Sequence, residues 1–203
     1  MLEAFDFLRR RPKSSDPEQF GVFLDERAAF VAQKTILDYC RVKAGKNERS
    51  LFADPDFKAA LNHCRWEVFA AATVDVQAMA ESWLRPFVAN RQDRLIDALI
   101  SLHSRVAAAS DTPGRTPDSL AVALLRIRSD LSLRALAPPR PADKLPLTAE
   151  EPLLATLPVH FDQRKDETPA ITGALRFHIV SAQQDMERAF DPAALAARLV
   201  PQD

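Results

Sequence analysis

The stretch Asp54–Asn90, DPDFKAALNHCRWEVFAAATVDVQAMAESWLRPFVAN, decides the fold of this chain. Asp54 suits a helix N-cap, because its carboxylate can accept from the free N–H groups of the first turn, and Pro55 suits the first helical position. At about 100° per residue the apolar side chains then fall on two faces rather than one. Phe57, Ala60, Leu61, Cys64, Val68, Ala71, Ala72 and Met79 share one face; Trp66, Phe69, Thr73, Val76, Ala80 and Leu84 share the opposite one. A helix that is apolar on two sides needs neighbours on two sides, so it is expected at the centre of a bundle. Pro86 lacks the N–H that would continue the ladder, so the helix should kink or end before Phe87.

On the N-terminal side, Ser15-Asp16-Pro17-Glu18 has capping-box spacing and predicts a helix to Ala44, stopped by Gly45. Along it Phe23, Phe30 and Leu37 recur every seventh residue, and so do Arg27, Lys34 and Arg41, a basic stripe beside an aromatic one. On the C-terminal side, Leu95, Leu99, Leu102, Val106 and Ala109 predict an amphipathic helix ended by Asp111-Thr112-Pro113-Gly114. Thr116-Pro117 opens the next helix, whose seam is Leu120, Leu124, Ile127 and Leu131. The run LAPPRPADKLPLTAEEP (Leu136–Pro152) holds five prolines and cannot stay helical. Beyond it, Thr148 with Glu151 has capping-box spacing again and predicts a short helix through Leu157. Thr168-Pro169 and Asp191-Pro192 open two more, the first with Ile171, Leu175, His178, Ala182 and Met186 on one side.

The expected fold is therefore all-α: a bundle of about four long helices with one or two shorter C-terminal helices. Residues 1–15 read as an N-terminal tail, 16–136 as the bundle core, 137–152 as a Pro-rich linker, and 153–203 as a helical segment packing on the bundle. Four glycines against fifteen prolines in 203 residues agree with this, since tight hairpins need glycine for positive φ. Between Leu84 and Arg140 there are nine basic and five acidic residues (+4), and from Glu150 to Asp203 five basic and nine acidic (−4). That asymmetry suggests that the C-terminal segment docks electrostatically on the Arg-rich third and fourth long helices.

Composition excludes several functions. A formal net charge of −1 gives no bulk attraction to nucleic acid. No run approaches the roughly 18 apolar residues of a membrane span, and the N-terminus lacks the apolar core of a signal peptide, so a cytoplasmic location is expected. Cys40 and Cys64 lack C-x-x-C spacing and read as reduced, buried thiols. Phosphate-cradling Gly motifs, a nucleophile elbow and H-E-x-x-H are all missing from the sequence, so no cofactor, metal or catalytic residue is expected.

What remains are candidates for contact. His63 and Glu67, at i and i+4, share a helix face and could hold a proton between them, though alone they make at most half a metal site. Asp75 falls near the apolar Phe57–Val68 face and, if buried, calls for a cationic partner. His178 reads as a core histidine, and His160 with Asp162 as an ordinary loop pair. The leading expectation is a non-enzymatic protein-interaction module, an adaptor or assembly factor. One alternative is a helical enzyme or binding protein whose interior pocket takes an anionic ligand through Arg27, Lys34, Arg41, His63 and Glu67. Another is DNA binding through the 116–136 helix. Residues 1–13, with Leu2, Phe5, Phe7 and Leu8 before Arg9, Arg10 and Arg11, suggest peripheral membrane contact or docking on the bundle. Homo-oligomerisation is left open.

Overall fold

A computed structural model describes residues 12–110 and 117–201. The described chain is all helical, in eight α-helices: α1 (Pro17–Ala44), α2 (Glu48–Ala53), α3 (Pro55–Leu84), α4 (Gln92–Ala109), α5 (Pro117–Ala135), α6 (Glu150–Thr156), α7 (Thr168–Ala189) and α8 (Pro192–Leu199). Each of the five Asp-Pro or Thr-Pro steps at 16, 54, 116, 168 and 191 marks a helix start. The aspartates cap by accepting backbone N–H groups: Asp16 from Glu18 (2.9 Å), Asp54 from Phe57 (2.8 Å) and Asp191 from Ala194 (2.9 Å). Asp16 thus takes the capping place expected of Ser15. At the far end of α1, Gly45 adopts φ +51° and its N–H reaches the Arg41 carbonyl, a left-handed stop that a side chain would strain.

Helix α3 is the centre. From Ala71 to Leu84 every residue but Trp83 is buried, with α1, α4, α5, α6, α7 and α8 packed around the helix. Its N-terminal half keeps a solvent side, where Ala60 and Trp66, both expected to face neighbours, are exposed. A 3-10 turn over Arg85–Phe87, built on Pro86, ends it as expected. Phe20 of α1 stacks on Trp83 (6.4 Å between centroids) and meets Phe190 edge-on at 5.1 Å. At Gly21 the backbones of α1 and α4 come so close that a Cβ would lie 2.7 Å from Leu102 Cγ and 2.9 Å from Val106 Cγ2.

The C-terminal segment docks elsewhere than its charge suggested. Helix α7, at 22 residues a fifth long helix, packs on α1 rather than on the Arg-rich α4 and α5. Arg27 pairs with Asp185 at 3.1 Å, while Tyr39 donates to Glu167 at 2.6 Å and Lys43 pairs with the same carboxylate. The acidic residues of α7 find their cations on α1 because its apolar side, Ile171, Leu175, Ile179 and Met186, is buried there.

The Pro-rich segment is strapped to the body by side chains that reach its backbone. Arg176 donates to the carbonyls of Ala142, Asp143 and Leu145, and Gln183 Oε1 accepts from Ala142 N–H at 2.7 Å. Arg85, bound to Glu81 on the same helix, donates to the carbonyls of Arg134 and Ala137. Asp75 completes the strap, and its partner is no cation. One carboxylate oxygen accepts from Thr148 N–H at 2.7 Å, the other from Ala149 N–H at 3.0 Å. The Thr148 hydroxyl lies within reach of both Asp75 Oδ1 (2.7 Å) and the Ala71 carbonyl (3.0 Å). Asp75 of α3 therefore supplies, from another helix, the N-terminal capping of α6 expected of Thr148.

Candidate functional site

The predicted basic stripe is consumed by the fold. Arg27 is bound to Asp185 and lies over the rings of Phe23 (5.4 Å) and Phe30 (5.3 Å). Lys34 pairs with Asp38 at 2.7 Å and Arg41 with Glu48 at 3.3 Å. His63 and Glu67 are exposed, and neither makes a hydrogen bond or ion pair among the described residues. The five candidates do not converge: neither groove described below is lined by more than one of them.

Reactive side-chain types are likewise held in unreactive settings. Cys40 and Cys64 are both free and buried, and burial pushes the Cys40 thiol up to about 12, so it carries no thiolate at neutral pH. His178, packed edge-on against Phe30 and Phe177, is held below the ordinary histidine range by desolvation. It is a core histidine, as expected. His160 and Asp162 sit 3.3 Å apart with both side chains more than two-thirds exposed (73% and 79%), a surface pair screened by water. No group of three or more His, Cys, Asp or Glu among the described residues could hold a metal ion.

Two grooves open on α3. One, of about 400 Å³, lies against α1 and is lined by Asp25, Gln33, Asn62, Arg65, Trp66 and Phe69. The other, of about 570 Å³, lies between α3, α5 and α6, with Ala71, Val74, Leu133 and Ala155 in its wall and Glu67 and Arg126 at its edge. The second groove borders the most unusual surface of the molecule. Helix α5 buries Ile127 and Leu131 completely, with Leu120 and Leu124 half-buried, the seam its sequence predicts. About 170° round the helix, Val122 (58% exposed), Leu125 (68%), Leu133 (66%) and Leu136 (85%) form a second apolar line that nothing in the fold covers. Single exposed apolar residues are ordinary; four in register on one face are not.

The arginines of this helix do not compete for that face. Arg128 is bound to Asp97 of α4 at 2.7 Å, and Arg134 is bound to Asp130 and donates to the Pro146 carbonyl. The second line was readable as the 3-4-4-3 spacing of 122, 125, 129, 133 and 136, in which Ser129 is the only polar member. No family model, curated protein or solved structure matches the chain.

Proposed function

We propose that this protein is a non-enzymatic helical interaction module, an adaptor or assembly factor whose contact surface is the outer face of α5. The observation that carries this reading is the uncovered line Val122, Leu125, Leu133 and Leu136, opposite a seam already satisfied by the core. Exposed leucine adds nothing to the stability of an isolated fold and gains free energy only when a partner removes it from water, about 25 cal/mol per Å² of apolar area. The partner that fits is a protein presenting an apolar helix face, since a narrow line about 21 Å long at 1.5 Å per residue matches a helix–helix seam.

Two other readings have less support. DNA binding through α5 would draw on arginines of which two are engaged with aspartates. An anionic ligand would need Arg27, Lys34 and Arg41, each bound to a carboxylate. Among the described residues no helix is long and apolar enough to cross a membrane. The suggested membrane contact rests on a segment of which residues 1–11 lie outside the described residues, as do 111–116 at the start of the suggested DNA-binding helix.

The test is chemical cross-linking of the tagged full chain in native host lysate, with Leu125→Glu/Leu133→Glu alongside. A protein cross-linked to α5 at near-equal stoichiometry and lost from the double variant is the expected result. Equal capture by both chains, or conversion of a substrate at a rate abolished by one side chain, would overturn the reading.

A further inference from the structure

The outer face of α5 reads the same in both directions. Counted from Ser129, its apolar residues sit at −7 (Val122), −4 (Leu125), +4 (Leu133) and +7 (Leu136). A contact between two different proteins places no such demand on a sequence. A two-fold contact between identical chains does, because the same patch must be complementary to itself. We infer that this face binds a second copy of the chain, α5 against α5 and antiparallel, about a two-fold axis at Ser129. This rests on reading the outer face of α5 as a protein contact.

In that arrangement Val122 of one copy meets Leu136 of the other, and Leu125 meets Leu133. The small, exposed Ser129 meets its own counterpart at the axis, where a short side chain lets the helices approach closely. The charges beyond the apolar line follow the same symmetry. Asp118 lies at −11, in the first turn of α5, and Arg140 at +11, in the segment that leaves its C-terminal end. Both are exposed, and neither is ion-paired among the described residues. Antiparallel packing brings Asp118 of each copy to the end where Arg140 of the other stands. A parallel dimer would set Asp118 against Asp118 and Arg140 against Arg140. Charge complementarity therefore selects both the partner and its direction. The patch is small, so dissociation in the micromolar range, about 1–100 μM, is expected.

Sedimentation equilibrium of the purified full chain over a concentration series tests this. The expected result is a monomer–dimer equilibrium that Leu125→Glu/Leu133→Glu abolishes while circular dichroism stays unchanged. Asp118→Arg and Arg140→Asp should each raise the dissociation constant about tenfold, and the two together should restore it, because each contact joins position 118 of one copy to 140 of the other. Ser129→Cys gives a second readout. With Cys40 and Cys64 both buried, mild oxidation should yield a disulfide-linked dimer through position 129. A chain monomeric to about 0.5 mM, or a dimer indifferent to Leu125→Glu/Leu133→Glu, overturns the inference. So does a dimer that the charge swap fails to restore. If the purified chain is monomeric yet another protein cross-links to α5 in lysate, the second copy is excluded and the interaction-module reading stands. If neither occurs, both fall.

Discussion

Helices α3 and α5 each carry two apolar faces, and they end in opposite environments. In α3 the second face is covered, so closely that Asp75, Gln77, Glu81 and Arg85 are buried with it. In α5 the second face is bare, and leucines stand in water while neighbouring arginines bind aspartates. An apolar face thus says that something covers a helix, not what does. For α3 the cover is the rest of the chain, and its polar groups must then be satisfied internally, which they do by gripping the Pro-rich strap. For α5 the cover is external, and the helix needs no buried polar group on that side.

The largest effect should come from breaking the polar arrangement that covering α3 imposes. Arg85→Met leaves the Glu81 carboxylate, fully buried, without its counter-ion and should cost about 3–5 kcal/mol in urea unfolding. Adding Glu81→Leu should recover much of that loss, because the uncompensated charge goes with it. Equal instability of the single and double variants would instead assign the cost to the Arg134 and Ala137 carbonyls that Arg85 also holds. The contrast within α5 comes next. Leu131→Ala, in the buried seam, should cost about 2–5 kcal/mol, whereas Leu125→Ala, on the outer face, should stay within about 0.5 kcal/mol when the chain is monomeric. Comparable losses would mean that the outer face is already covered within one chain, and the comparison would break.

The parts of this fold that are local in sequence were legible there. Asp54-Pro55 and Asp191-Pro192 announce helix starts because a cap is made within three residues, and Gly45 announces a stop for the same reason. Partners distant in sequence were not. Asp75 implies a buried carboxylate that needs partners, but those partners, Thr148 and Ala149, lie more than seventy residues away. Net charge misled about α7 because the decisive pairs are single contacts, Arg27 with Asp185 and Lys43 with Glu167, which a segment total does not resolve. The outer face of α5 carried a readable signal. It was masked by the Leu120–Leu131 seam, which already satisfies the amphipathic pattern of a surface helix.

Asp75 also sharpens the comparison through pH. Burial raises its carboxyl above the ordinary aspartate value, against the opposing pull of the Thr148 and Ala149 donors and of Arg134. The folded chain therefore binds this proton more readily than the unfolded chain does. Stability relative to Asp75→Asn should accordingly fall as pH rises from the ordinary aspartate value through the raised one. Asparagine keeps one acceptor but turns a donor toward the strap, so the variant should be weaker by about 1–3 kcal/mol at the acid end, with the gap narrowing toward neutral pH. A gap that widens with rising pH would show that the donors outweigh burial and keep the carboxylate ionised throughout.

The covered and the bare can be compared at the scale of one methyl group. In an open helix, replacing glycine by alanine removes backbone entropy from the unfolded chain and is favourable by about 0.5–1 kcal/mol. Gly173, exposed on α7 with no atom within 4 Å of where a Cβ would stand, should show this gain in full. Gly21 should show the reverse. Its added Cβ would press on Leu102, itself buried between α1 and α4, and the overpacking should outweigh the propensity gain to leave a net loss of about 1–3 kcal/mol. Thermal unfolding of Gly173→Ala and Gly21→Ala reads both signs. If both variants gained stability, α4 would have to move away from α1 at little cost. The close approach that closes the bundle over α3 would then be a loose contact rather than a packed one.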